Sequence, residues 1–258
     1  MHTIRTFLTM RTPFHRRYPS PSANVAHEVD KRIAVDRQQG FIYFRIPKAA
    51  NSTICATLYP KSNRNSVDKR TAKRYFARGR SLTADEIKHL ASRFFLFSFV
   101  RNPYTRTASA YLDKVKRNTK TQNLIRQRLK LPGEEPVSFL TFFQYLTAGG
   151  LYDNAHWYPQ TTFIPCGTKT LSFLGRVENI NEDLESVLMA INNKRKPDLI
   201  LRAEHRTGAN DRLLDLYCHS SLNLVNTIYD ADFDNLGYKK VDSLAGINLD
   251  SSPYNIEA

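Results

Sequence analysis

No window of this 258-residue chain reaches eighteen apolar residues, and its opening stretch, MHTIRTFLTMRTPFHRRYPSPSANVAHEVDKR, carries charges and prolines where a signal peptide or membrane anchor needs an apolar run. A soluble, cytoplasmic protein is therefore expected, and peripheral membrane contact is not indicated. Cysteine is scarce: Cys55, Cys166 and Cys218 are too few and too scattered for a disulfide framework, and no two of them have metal-ligand spacing. They read as small buried residues, although Cys166 lies in the turn-like IPCGTK, where a structural or redox role stays open. Acidic residues are scarce in the first half alone. Residues 1–130 hold 28 Lys and Arg against 7 Asp and Glu, whereas residues 131–258 hold 10 against 17. The first half should attract polyanions in a salt-dependent way: nucleic acid, anionic lipid, a phosphorylated cofactor or an acidic polysaccharide all qualify.

What is present is the composition of one large globular domain, 41 % hydrophobic with 10 Gly and 12 Pro. Residues 1–35, with RTPFHRRYPSPSAN and no sustained period, are expected to form an irregular N-terminal arm. The main domain is expected over 36–240 and a tail over 241–258. Within the domain, FIYFRI at 41–46 reads as a buried strand, and Asn51 to Leu58 as a short helix stopped by Pro60. Thr83 and Glu86 have capping-box spacing, and FFLFSFV at 94–100 is dense enough in apolar residues to be buried on both faces. Asn102 is a plausible N-cap, with Pro103 at the first helical position. Helical patterns follow at about 120–130 and 137–147, a third strand at about 170–176, a helix from about 181, and a last long helix from about 210 to 229. Strands separated by helices predict an α/β fold with a mostly parallel central sheet flanked by helices, and in such sheets ligands bind beyond the carboxyl ends of the strands.

Two of those strand ends are unusually polar. In PKAANST, 47–53, small Ala49 and Ala50 allow close approach to the backbone, Asn51, Ser52 and Thr53 offer donors, and Lys48 adds a cation. The stretch suits a phosphate oxygen at a helix N-terminus, yet it has no glycine and is not a GxxxxGK[ST] loop. Alone it could equally be a capped helix with an exposed lysine. In RNPYTRTAS, 101–109, Arg101 leaves a buried strand beside a helix start, with Arg106 and Ser109 in the next turns, which suits a terminal phosphate dianion. Two such ends imply a ligand with two separated phosphates.

FRIPKAANSTI resembles the 5′-phosphosulfate-binding loop, and FSFVRNPYTRTASAY the 3′-phosphate-binding segment, of the Golgi-type carbohydrate sulfotransferases that include the HNK-1 and chondroitin/dermatan 4-O-sulfotransferases. HWYPQTTFIPCGTKTLSFLGRVENINEDLESVL is similar to that family's His-Trp-x-Pro segment, cysteine turn, Phe-x-Gly strand and acidic helix start. IYDADFDNLGY, 228–238, resembles its closing segment, so the resemblance spans about 41–238 in order.

The resemblance implies a P-loop-NTPase-like sulfotransferase fold, 3′-phosphoadenosine 5′-phosphosulfate (PAPS) as donor, PAP as product, a glycan or other hydroxyl acceptor, anionic if the basic 61–80 stretch docks it, and no metal. Lys48 would contact the 5′-phosphate and the bridging oxygen, with Pro47, Ala49, Ala50, Asn51, Ser52 and Thr53 wrapping the 5′ side. Arg101 and Ser109 would hold the 3′-phosphate, and Arg206 and Thr207, in RAEHRTGAN, would close over the nucleotide. His156, in HWYP, is the candidate general base, although a structurally satisfied histidine would read the same, and the neighbouring Trp157 and Tyr158 could be sugar platforms or core residues. Most members of that family are lumenal, with a membrane anchor and paired cysteines, and this sequence leads to the expectation of neither. A nucleotide kinase would need Walker chemistry that 47–53 lacks, and a basic nucleic-acid-binding module remains the non-enzymatic alternative.

Overall fold

The computed structural model describes residues 2–59, 68–192 and 213–247. In chain order its elements begin with helices α1 (His2–Met10), α2 (Pro13–Arg17) and α3 (Ala23–Asp30), strands β1 (Ile33–Asp36) and β2 (Phe41–Phe44), and helices α4 (Asn51–Leu58), α5 (Lys69–Tyr75), α6 (Ala84–Lys88) and α7 (Leu90–Arg93). There follow β3 (Phe95–Val100), α8 (Pro103–Lys114), α9 (Thr119–Leu129), α10 (Phe139–Thr147), β4 (Phe173–Arg176), α11 (Ile180–Asn192), α12 (Leu213–Leu216), α13 (His219–Ile228) and α14 (Asp230–Leu236). The described residues of 2–100 and 160–192 form one unit, and those of 101–159 and 213–247 another.

The first unit is built on a four-stranded sheet in the order β1-β2-β3-β4. β2 pairs parallel with β3, and β3 with β4, while β1 pairs antiparallel with β2, so the α/β class and the mostly parallel sheet of the sequence pattern are both present. Phe41, Ile42, Tyr43 and Phe44 are all fully buried, as are Leu96, Phe97, Phe99 and Val100, which is the continuous burial expected where a parallel sheet is covered on both faces. Tyr43 and Phe97 stack nearly parallel at 4.8 Å between ring centroids. Ser98, in the same register as Phe44, donates its hydroxyl to the Phe44 carbonyl at 2.7 Å. Gly175 is required by packing: a Cβ there would lie 2.5 Å from a ring carbon of Phe99, which gives the Phe-x-Gly pattern of β4 a physical cause.

The irregular arm expected over 1–35 is instead three helices and a strand. Pro13 sits in the first turn of α2, where its missing N–H costs nothing, and Ser22 caps α3 by accepting from the Val25 N–H at 3.3 Å. Helices this short gain their order from tertiary packing, here the burial of Phe14, Val25, Ala26 and Val29. β1 continues into a tight turn in which the Asp36 carboxylate accepts from the N–H groups of Gln38 and Gln39, and Gly40 takes φ +68°. The Thr83/Glu86 capping box forms as the spacing predicts.

In the second unit, Asn102 caps α8 by accepting from the Tyr104 N–H at 2.9 Å, and Pro103 opens the helix. Phe139, Phe142, Phe143, Tyr145 and Leu146 give α10 a buried face. The single long helix expected to end near residue 229 is two, α12 and α13, with 210–212 outside the described residues. Tyr217 is buried and its hydroxyl donates to the Tyr104 carbonyl at 3.1 Å, while Cys218 starts a new helix by donating its N–H to Ser221 Oγ at 2.9 Å. Among the described residues no helix is long and apolar enough to cross a membrane.

Candidate functional site

Within the first unit, β2 and β3 run parallel and in register, so the chain leaves both at the same sheet edge. The segment after β2 is the loop 45–50 that feeds α4. Its backbone is unusual: Lys48 has φ 68° and Ala50 φ 50°, both left-handed without glycine. That region costs an L-residue about 1–2 kcal/mol, so surrounding structure must hold the loop there. Ala49, between them, is fully buried, and Pro47 is buried too, whereas Lys48, Ala50, Asn51, Ser52 and Thr53 are half-buried.

The capped-helix alternative for this stretch is not what forms. Ala50 is the N-cap of α4 and makes no side-chain cap; its carbonyl accepts from the Ile54 N–H at 3.1 Å. A helix start without a side-chain cap directs backbone N–H groups and the positive end of the dipole outward, which is what an anion binds.

The support for the loop comes from a residue that sequence reasoning passed over. Arg45 is buried and donates to the carbonyls of Lys31 and Lys73, the latter at 3.1 Å, and reaches Cys55 Sγ at 3.8 Å. The Cys55 thiol donates to Asn51 Oδ1 at 3.3 Å, and burial pushes its pKa up, which keeps it a donor. One guanidinium thus ties the turn before β1, helix α5 and the first turn of α4 together. The available signal was a cation inside FIYFRI, a run otherwise made of apolar and aromatic residues. Of the three cysteines only Cys55 is buried; Cys166 is intermediate and Cys218 exposed, so the expectation of burial holds for one.

The second unit begins at Arg101, half-buried, whose Nε donates to Thr105 Oγ1 at 3.0 Å. Thr105 Oγ1 in turn donates to the Asn102 carbonyl at 3.1 Å, which fixes the start of α8. Ser109 is only 1 % exposed, and its Oγ has no hydrogen-bond partner among the described residues. An orphaned buried hydroxyl is uncommon and fits a group that receives a ligand oxygen. Arg106 is also buried; burial raises the Tyr229 phenol pKa, and the nearby Arg106 charge opposes that rise.

His156 lies in the irregular segment between α10 and β4 and is half-buried. Its backbone N–H donates to Asn154 Oδ1 at 3.0 Å, and its Nδ1 is 2.7 Å from the same oxygen. Trp157 and Tyr158 are 1 % and 2 % exposed, so of the two readings open for them, sugar platform or core, they are core residues. Trp157 Nε1 donates to the Gly150 carbonyl at 2.9 Å, and the Tyr229 hydroxyl donates to the Trp157 carbonyl at 2.8 Å. The exposed aromatic of this segment is Tyr152, its ring 5.0 Å from that of Tyr158.

Arg206 and Thr207, with His205, lie outside the described residues, as does part of the basic 61–80 stretch. His89 sits between α6 and α7, exposed and paired with Asp85. Among the described residues no group of three or more His, Cys, Asp or Glu side chains is arranged to hold a metal ion.

A family model described as "Sulfotransferase family" matches residues 31–239. Carbohydrate sulfotransferase 14 of Mus musculus is 27 % identical over 176 residues, which cover 61 % of this chain and 46 % of that protein. The chain therefore matches less than half the length of that relative. No solved structure matches.

Proposed function

This chain belongs to the sulfotransferase family, and on that premise we propose that it moves a sulfuryl group from PAPS to a hydroxyl acceptor, in particular a carbohydrate. The observation that carries the reading is the loop after β2, where left-handed Lys48 and Ala50 lead into a helix with no side-chain cap. Such a loop suits the 5′-phosphosulfate, with Pro47, Ala49, Asn51, Ser52 and Thr53 wrapping that side. Arg101 and Ser109 suit the 3′-phosphate, the first by its fork of donors and the second by its orphaned hydroxyl. Arg206 and Thr207 are assigned to the nucleotide on the resemblance alone.

In the proposed reaction the acceptor oxygen attacks sulfur in line as the bond from sulfur to the bridging oxygen breaks. Negative charge builds on the departing phosphate, where Lys48 and the α4 N-terminus stabilise it as it develops. His156 takes the acceptor proton as general base. A glycan acceptor with acidic groups would complement the basic first half of the chain.

The test is incubation of the protein with labelled PAPS and a panel of glycans, lipids and small alcohols, beside a thermal-shift titration with PAP. Label transfer to a hydroxyl acceptor and stabilisation by PAP at about 1 mM are expected. No PAP response, together with salt-dependent binding of RNA or DNA, would replace this reading with a nucleic-acid-binding module.

A further inference from the structure

The hydrogen bonds of Asn154 decide a proton position on His156. A backbone N–H can only donate, so the Asn154 side-chain atom that it meets at 3.0 Å must be the carbonyl oxygen and not the amide nitrogen. That same oxygen faces the ring Nδ1 at 2.7 Å. An amide oxygen only accepts, so Nδ1 must carry a proton, and in a neutral imidazole the lone pair is then on Nε2. The usual ambiguity of amide orientation and histidine tautomer is removed here by one backbone donor.

The segment around this pair is held on both sides. The Trp157 N–H donates to the Asn154 carbonyl at 3.1 Å, closing the turn, and buried Trp157 is itself fixed through Gly150 and Tyr229. On the other side Asp153 accepts from the Tyr145 hydroxyl at 2.6 Å and from Arg128 at 2.9 Å. Neither Asp153 nor Trp157 can shift without breaking bonds to α9, α10 or the buried aromatic core. The ring of His156 therefore inherits its direction from a rigid scaffold, which is the condition for a positioned proton acceptor.

We propose that Asn154 is the positioning residue of His156, holding it in the Nδ1–H tautomer so that Nε2 is the basic atom. This rests on the reading of His156 as the general base; the tautomer itself does not. A neutral amide sets the tautomer without adding charge, whereas an aspartate at 154 would supply the same acceptor with a negative charge.

The experiment uses the full chain labelled with 15N-histidine, the His156 ring signals being assigned by their absence from His156→Ala. At a pH where the ring is neutral, Nδ1 is expected in the protonated, pyrrole-like range and Nε2 in the unprotonated, pyridine-like range. In Asn154→Ala this pattern should be lost to a mixture dominated by Nε2–H. With the acceptor found by the PAPS panel, Asn154→Ala should lower kcat by about ten- to a hundredfold with little change in KM for PAPS, and Asn154→Asp should restore much of it. A native Nε2–H tautomer, or an Asn154→Ala protein with unchanged ring signals and kcat, would overturn the proposal. The inferred tautomer combined with full activity in His156→Ala would instead overturn the general-base reading, and with it the part of Asn154 in transfer.

Discussion

Lys48 and Ala50 flank a fully buried Ala49 with φ of 68° and 50°, so the loop between β2 and α4 is left-handed on either side of a residue locked in the core. Neither position is glycine, and the strain is carried by the packing of Ala49 and by the Arg45 bonds beneath. Ala50→Gly should relieve the strain at one position. Allowing for the entropy that glycine gains in the unfolded chain, a net stabilisation of up to about 1 kcal/mol is expected, with Tm rising by about 2–4 °C. Thermal unfolding checks this. A fall in Tm would mean that the left-handed backbone at 50 is not strained in the protein.

Lys48→Ala and Arg101→Ala should each lower sulfate transfer by at least about 10²–10³-fold while leaving the circular dichroism spectrum unchanged. Arg101→Lys should recover little, because a point cation does not reproduce the guanidinium fork. Transfer from labelled PAPS is the measurement, and near-normal activity in either alanine variant would remove these residues from the donor site.

Arg45 should prove structural as well as functional. Arg45→Met keeps bulk but deprives the part-buried carbonyls of Lys31 and Lys73 of this donor. A loss of at least about 2 kcal/mol is expected, read as a lower urea midpoint with an unchanged slope. PAP affinity, measured calorimetrically on the fraction that stays folded, should fall as well, because Asn51 loses its link through Cys55.

Glu86 connects stability to pH. Arg37 grips its carboxylate with Nε to Oε1 at 2.7 Å and Nη2 to Oε2 at 3.0 Å, and the Thr83 N–H adds a third bond at 2.8 Å. The Arg37 hydrogen bonds, followed by those of Thr83, hold its pKa down to about 2. A carboxylate with a depressed pKa stabilises the fold fully above its unfolded value of about 4.3 and loses that contribution as pH falls toward 2. Glu86→Gln should lower Tm by about 2–4 °C at pH 7, and the gap should close near pH 2. A gap of equal size at both pH values would show that the charge of Glu86 contributes nothing.

Much of this molecule was legible in order along the chain. The α4 bounds Asn51–Leu58, the strand at 95–100, the caps at Thr83 and Asn102 and the strand near 173 all follow from local pattern, because run length, cap chemistry and period act within a few residues. The N-terminal helices did not show: α2 has only five residues, and the burial of Phe14, Val25, Ala26 and Val29 that orders this region is set by the fold and not by the segment's own pattern. β1 was hidden for a related reason: four residues, Ile33 to Asp36, become a strand only by pairing with β2. The same limit applied to HWYP, whose aromatic residues fitted a sugar platform and a core equally until the bonds of Trp157 and Tyr158 placed them in the core.

By itself the sequence determined the α/β class, the two polar strand ends at 47–53 and 101–109, and the family resemblance that joined them. These depend on residue type and short-range order, which the chain carries before it folds. Only the tertiary structure decided that Lys48 and Ala50 would be left-handed, that Arg45 would hold the loop from below, and that Asn154 would set the tautomer of His156. Those outcomes come from contacts across tens of residues, or from which of two atoms a single N–H meets. Neither leaves a trace in composition or periodicity.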